Sequence, residues 1–230
     1  MTSSMADGDI ATPRHRFRFT TLLVAIIALL LLSPVVAYLP LSGALFSFLG
    51  AAIPLAAIYA VSDNRRHLYV GLALGLPATF AGAINLLDLG FQFEWLALLL
   101  PPVFYAYTVW VVGRRVFTSP AVNADTLAGA ACVYLLIGMT WWFLFLVLEV
   151  LQPGSFAGRP PGVEDPTARF DLLYFSFVTL TTLGYGDILP LTRAARALSI
   201  VLATVGVLYL GIVIARLVGV YAANVIQGES

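Results

Sequence analysis

Residues Thr181-Thr182-Leu183-Gly184-Tyr185-Gly186-Asp187 lie between two long apolar segments, directly after a short aromatic run, Phe170 to Thr181. The aromatic run reads as a short helix and the seven residues as an extended loop. Gly184 and Gly186 alternate with residues that bear side chains. Glycine reaches left-handed backbone dihedrals without steric cost. A loop that alternates in handedness can turn its successive carbonyls to one side. Several copies around an axis then make stacked rings of oxygens, the surroundings a dehydrated cation requires. The Thr182 hydroxyl adds one more ring at the inner end. Gly-Tyr-Gly-Asp by itself is also ordinary turn chemistry. Three features of context favour the ion-binding reading: the paired threonines, the aromatic helix before them, and an apolar segment on each side.

Composition points the same way. The chain is 60% hydrophobic and 10% charged, with a mean hydropathy of +0.95, whereas a soluble domain carries about 25% charged residues. All 12 basic residues are Arg, a usage that suggests a GC-rich prokaryotic source. The formal net charge is zero, so nothing points to nucleic acid. The single Cys132 lies in an apolar segment and reads as inert, with no disulfide or metal cluster possible within one chain. His15 and His67 sit in basic loops apart from any acid–base constellation, so an enzyme has no support and no cofactor is expected.

A helix needs about 20 apolar residues to cross a bilayer core. Six segments qualify: Phe19–Tyr38, Leu41–Val61, Leu68–Leu89, Glu94–Val112, Thr126–Leu151 and Ala194–Val225. The first also has the layout of a signal peptide, with Arg14, Arg16 and Arg18 ahead of an apolar run, but the cleavage pattern after it is poor. If all six span, Arg14, Arg16, Arg18, Arg65, Arg66, Arg114, Arg115 and Arg216 share one side, which should be cytoplasmic. Both termini then lie in the cytoplasm, and the protein is a multi-pass protein of the cell (inner) membrane. Asp125 or Asn123 can cap the fifth helix. Gln152 to Arg169, rich in Pro and Gly, reads as an irregular outer loop.

Residues 126 to 226 resemble the pore module of tetrameric potassium channels: outer helix, pore helix, selectivity filter, inner helix. The resemblance covers a little under half of the chain. Its filter motif is almost the TVGYG loop of that family, with Leu183 in place of Val. The resemblance implies an all-α membrane protein with six transmembrane helices, and a re-entrant pore helix and filter between the fifth and sixth. It implies K+ binding by carbonyls of Thr182, Leu183, Gly184 and Tyr185, with Gly186 completing the loop. It casts Thr181, Asp187, Tyr174, Phe175 and Val178 as filter support. Gly206 falls on the family's hinge glycine and is the expected bending point; the plainer alternative is helix packing, since glycine is frequent in membrane helices. Val207, Leu210 and Ile214 fall on positions lining the cavity and inner gate. The implied assembly is a homotetramer in a lipid bilayer, with K+ as its permeant ion.

The chain also departs from that family. Val178 stands where some bacterial members carry a glutamate that pairs with the aspartate after the filter, and Tyr174 can donate to Asp187 instead. Phe175 replaces a tryptophan or similar donor, removing one tether for the Tyr185 hydroxyl. Three parts are expected: a cytoplasmic tail (1–18), a four-helix sensor-like domain (19–117) and a pore domain (124–227). A voltage sensor needs several Arg at three-residue spacing in its fourth helix, and Glu94 to Val112 contains none. Arg114 and Arg115 read as anchors, and voltage dependence should be weak. The sequence runs only to Ser230, so the gating trigger is expected to act on the membrane region, on a partner or on the filter. A weakly selective cation channel and a secondary K+ transporter are the alternatives, although only one filter copy and no inverted repeat are visible.

Overall fold

The structure, a computed structural model, describes residues 18–37, 56, 66, 69–77, 94–119, 123–159, 163 and 166–228. The second predicted segment apart from Ala56, most of the third, and the N-terminal tail before Arg18 lie outside these. Five helices and a two-stranded ribbon are labelled here: α1 (Arg18–Ala37), α2 (Glu94–Thr118), α3 (Ala124–Leu151), β1 (Phe156–Ala157), α4 (Pro166–Leu180), β2 (Leu189–Pro190) and α5 (Arg193–Gly228). Residues 69–77 are helical as well. Two of the described helices, α3 and the Arg193–Val220 part of α5, are long and apolar enough to cross a bilayer.

Local chemistry sets the helix ends. The Asn123 carboxamide oxygen accepts the Thr126 N–H at 2.8 Å and the Thr126 hydroxyl at 3.0 Å. Asn123 is therefore the N-cap of α3, and Asp125 instead accepts the Phe19 N–H of α1 at 3.2 Å. The pore-helix candidate α4 starts at Pro166, four residues earlier than its aromatic run suggested. Proline suits a first turn, where its missing N–H costs nothing. Thr192 caps α5 by accepting the Ala195 N–H at 3.2 Å. Helix α2 continues past Val112 to Thr118 despite Pro101 and Pro102 inside it. Arg114 and Arg115 therefore lie within the helix, at its C-terminal end, where cations oppose the helix dipole favourably.

Helix α3 is apolar all round, as an enclosed helix should be, and it organises the core. On one side it receives Phe19, Leu22, Ile26 and Leu29 of α1, a three–four spaced stripe that is buried. The opposite α1 face, with Val24, Ile27, Leu31 and Leu32, is exposed. Helix α2 contributes Phe104, Tyr105, Val112 and Val116, and Tyr105 stacks on Phe143 with ring centroids 5.1 Å apart. Helix α4 contributes Leu172, Leu173 and Phe175. Each such side chain stabilises by about 1.5–3 kcal/mol. One core thus runs through the described helices on both sides of the 117/124 boundary.

Arg114, Arg115 and Arg216, of the predicted cytoplasmic side, lie at one end. Arg115 lies over the Phe19 ring at 5.6 Å, and Arg114 over Trp110 at 5.8 Å. Arg216 of α5 donates to the Ser119 carbonyl at 2.7 Å and covers Phe117. The far end of α3 carries Glu149, the outer loop and the ribbon. By contrast with α3, α5 is largely exposed. Ile200, Val201, Val207, Leu208, Leu210, Ile212, Ile214 and Val218 all stand bare in the single chain.

Candidate functional site

The Thr181–Asp187 loop begins inside the C-terminal cap of α4. The Leu183 N–H reaches back to the Val178 carbonyl (3.0 Å), and the Thr182 N–H to the Thr179 carbonyl (3.0 Å). This paired bonding needs a left-handed residue at the first position past the cap. That residue is Thr182, with φ +58°. Left-handed backbone is uncommon outside glycine, and here the cap and the neighbouring bonds hold it. Gly184 at φ +58° and Gly186 at φ +80° continue the alternation. Among residues 181–187 the left-handed positions are therefore every second one, 182, 184 and 186.

The last carbonyls of α4 are all engaged. Phe177 accepts the Thr181 N–H (3.0 Å) and hydroxyl (2.8 Å). Val178 also accepts the Gly184 N–H at 3.4 Å. Leu180 accepts the Tyr134 hydroxyl of α3 at 3.3 Å. The negative end of this helix thus acts on the loop through space, as a dipole, rather than through free carbonyls. Residues 181–187 are exposed throughout, with Leu183 at 55% and Tyr185 at 67%, and no atom of the chain comes within 4 Å of a Cβ built on Gly184 or Gly186.

The outer end of the loop is pinned. The Tyr174 hydroxyl donates to Asp187 Oδ2 at 2.6 Å, and Asp187 Oδ1 accepts the Ile188 N–H at 2.9 Å. The Tyr174 and Tyr185 rings lie parallel, 6.5 Å apart. The Tyr174 hydroxyl holds the Asp187 carboxyl below the usual carboxylate range. A depressed pKa means that this bond contributes stability above the ordinary carboxylate pKa, and that the contribution is lost as pH falls through the lowered folded value. Tyr174→Phe is expected to return the Asp187 titration midpoint towards about 4, read from its side-chain carboxyl 13C shift. An unchanged midpoint would show that this hydroxyl does not hold Asp187.

Past the loop, β2 pairs antiparallel with β1 of the outer loop, Phe156 opposite Pro190 and Ala157 opposite Leu189. Gly158, at φ +83°, lies so close to the Asp187 carbonyl that a Cβ would collide with it. Arg196 donates to the Pro190 carbonyl at 3.1 Å. Phe175 supplies packing: its ring lies 5.2 Å from Phe145 and 5.3 Å from Phe156, joining α4, α3 and the ribbon. The Val178 side chain is buried, and its carbonyl serves the cap.

Below the loop, Gly206 of α5 is buried against the end of α4, and a Cβ there would collide with the Leu180 carbonyl oxygen. Close packing of two helices is thus sufficient reason for a glycine at this position. Val207, Leu210 and Ile214 are exposed on α5, but so are Leu208 and Ile212, so exposure alone does not single out one face.

Several contributors do not show in the sequence. Glu149 and Arg159 form a buried ion pair at the top of α3. Strand β1 of the ribbon sits inside what reads as an irregular loop, and β2 follows the Thr181–Asp187 stretch. The Trp141 indole donates to the Leu198 carbonyl (3.1 Å) and the Trp142 indole to the Arg169 carbonyl (2.9 Å), tying α3 to α5 and α4. An acid ending an apolar helix and an arginine in the following loop were the available hints of the ion pair.

The sequence profile of a family described as "Ion channel" matches residues 132–223. Two curated plant proteins are similar to part of the chain. "Two-pore potassium channel 4" of Arabidopsis thaliana is 35% identical over 97 residues, 42% of this chain and 34% of that protein. "Two pore potassium channel c" of Oryza sativa subsp. japonica is 38% identical over 85 residues, 37% of this chain and 16% of that protein. The chain therefore matches about a third or less of the length of these relatives. Both are plant proteins, which does not fit the prokaryotic source suggested by arginine usage. No solved structure matches. Alternating handedness, a capped helix before it and a long apolar helix after it all lie within residues 132–223, the stretch that is similar to the ion-channel family.

Proposed function

We propose that this chain is one subunit of a homotetrameric, K+-selective channel, multi-pass in the cell membrane with both termini cytoplasmic. The observation that carries the proposal is the left-handed backbone at Thr182, Gly184 and Gly186. In an extended loop, alternation of this kind turns successive carbonyls to the same side. One copy has nothing on that side, and residues 181–187 stand exposed. Four copies about an axis would enclose rings of oxygen from Thr182, Leu183, Gly184 and Tyr185, which replace the hydration shell of K+. Ions queued in successive rings repel one another, so coordination does not prevent exit. This sequence contains one such stretch, so in this reading each ring of oxygens draws on separate copies. The bare apolar surface of α5 is consistent with burial against other copies and lipid.

In this reading α3 is the outer helix, α4 the re-entrant pore helix and α5 the inner helix of a pore domain spanning 124–227. Residues 19–117 supply the four preceding spans, with 1–18 as a cytoplasmic tail. A helix can end within a membrane only where protein satisfies its backbone, and the saturated carbonyls at the end of α4 meet that condition. Asp187, Tyr174, Phe175, Val178 and Thr181 brace the filter. Val207, Leu210 and Ile214 line the cavity and the inner gate, and Gly206 is the point about which α5 bends. Arg114 and Arg115 end α2 as anchors, so steep voltage gating is not expected. The arginines gathered at that end of the bundle support a cytoplasmic assignment for it.

Purified protein in planar bilayers, with K+ on one side and Na+ on the other, tests the proposal. The reversal potential should follow the K+ gradient. A value midway between the K+ and Na+ equilibrium potentials would make the protein a weakly selective cation channel. Flux that saturates at low turnover, without unitary currents, would make it a transporter.

A further inference from the structure

Glu149 and Arg159 form an ion pair whose two side chains are both fully buried. Arg159 Nη1 lies 3.3 Å from Glu149 Oε1. The same carboxylate accepts the Gly154 N–H at 3.1 Å and the Ser155 N–H at 3.0 Å. Arg159 Nη2 donates to the Ala168 carbonyl, in the first turn of α4, at 2.9 Å. Ser155 passes the connection onward: its carbonyl accepts the Leu191 N–H at 2.8 Å, and its hydroxyl meets that of Thr192 at 3.2 Å. Between them run the β1–β2 pairs, and next to Arg159 the backbone of Gly158 lies against the Asp187 carbonyl.

A buried charge pair is an expensive way to hold a loop. Its desolvation offsets much of its attraction, and apolar residues of the same volume do as well or better for stability alone. What a guanidinium adds is geometry, because its rigid fork can grip two acceptors in fixed directions at once. Here the guanidinium links the outer end of α3, through its charge contact with Glu149, to the beginning of α4, through its hydrogen bond to Ala168, while residues 181–192 run from the end of α4 to the start of α5. We propose that Arg159, held by Glu149, is a positioning residue that fixes the outer end of the Thr181–Asp187 loop in its ion-binding form. The proposal rests on the channel reading for its effect on current.

If so, weakening the grip should let the outer loop lapse from its conducting form. Bound K+ should oppose the lapse, since a ligand stabilises the conformation that binds it. A merely structural arginine would reduce the number of assembled channels without altering how each one responds to K+.

The test compares the parent protein with Arg159→Met and Arg159→Lys, as purified full-length protein in planar bilayers. Mean open time in Arg159→Met is expected to fall about tenfold at about 1 mM external K+ and to recover at about 100 mM, by mass action. Arg159→Lys keeps the charge but not the fork, and should fall between the two. Conductance within each opening should be unchanged. Open times equal to the parent at low K+ would overturn the proposal, as would fewer channels of unaltered kinetics. Hydrogen exchange at the Leu191 amide gives a reading that does not depend on current. It should quicken about tenfold in Arg159→Met, by local opening; unchanged protection would also overturn the proposal. A silent parent with quickened Leu191 exchange in Arg159→Met would leave the positioning role standing and remove the channel reading.

Discussion

Gly184→Ala is expected to leave the protein folded and, on the proposed channel function, to remove K+ current. Gly184 sits at φ +58° in the middle of the alternating loop. A Cβ there meets no atom of its own chain within 4 Å, so the substitution has room sterically and should not disturb the core. The cost is in the backbone, about 1–2 kcal/mol for a side-chain-bearing residue held left-handed. In a tetramer every copy carries that cost, about 4–8 kcal/mol in all. At about 1.4 kcal/mol per decade the conducting arrangement becomes rarer by a factor of about 1,000 or more. The relaxed loop turns the Gly184 carbonyl off the axis and breaks the oxygen column. Flux into proteoliposomes measures the loss, while gel filtration and circular dichroism check that the fold survives. Selective current at parental level in this variant would sink the filter assignment.

Gly206→Ala is expected to destabilise the protein itself. The methyl group collides with the Leu180 carbonyl oxygen, and the Leu180 side chain adds a contact at 3.1 Å. Neither obstacle can easily give way. The carbonyl belongs to backbone at the very end of α4, where Tyr134 also holds it. Either α5 moves off α4 or the cap that starts the loop is rebuilt. Overpacking of this kind costs about 1–3 kcal/mol in each chain, which lowers the thermal midpoint of the detergent-solubilised protein. Gly211→Ala serves as the control, because nothing lies within 4 Å of its Cβ and the residue sits in the same helix. A hinge alone predicts something different: altered opening and closing with stability intact. Parental thermal stability in Gly206→Ala would show that the close approach does not matter.

Much of this arrangement was legible in the residues, for identifiable reasons. Helix bounds follow apolar length and caps, so α1, α3 and α5 lie within a few residues of the expected spans. Asn123 and Asp125 are both capping types, and only the approach of Phe19 decides that Asn123 takes the N-cap and Asp125 the α1 amide. The left-handed positions at Gly184 and Gly186 follow from residue type. Thr182 does not announce itself in that way, because its φ is imposed by the cap of α4 and not by its own preference. Gly206 fits both a hinge and a packing site on paper, since a missing Cβ suits both, and its proximity to Leu180 emerges only when the chain is folded. The Glu149–Arg159 pair and the β1–β2 ribbon were hidden because in each a residue of the Pro- and Gly-rich loop meets a partner outside that loop, Glu149 in α3 and Leu189–Pro190 after the Thr181–Asp187 stretch. For α2, apolar length ended the expected helix at Val112, whereas the helix runs on to Thr118 and its added residues Arg114 and Arg115 lie over aromatic rings.

The cap of α4 also has a bearing on which changes the loop can tolerate. Because Thr182 is both the residue past the helix and the first left-handed residue of the series, helix termination sets the parity for everything downstream. Side chains behind the carbonyls are free to drift, as Leu183 illustrates. Length is not: one residue gained or lost between Leu180 and Gly186 would exchange odd positions for even ones and reverse the direction of every oxygen at once.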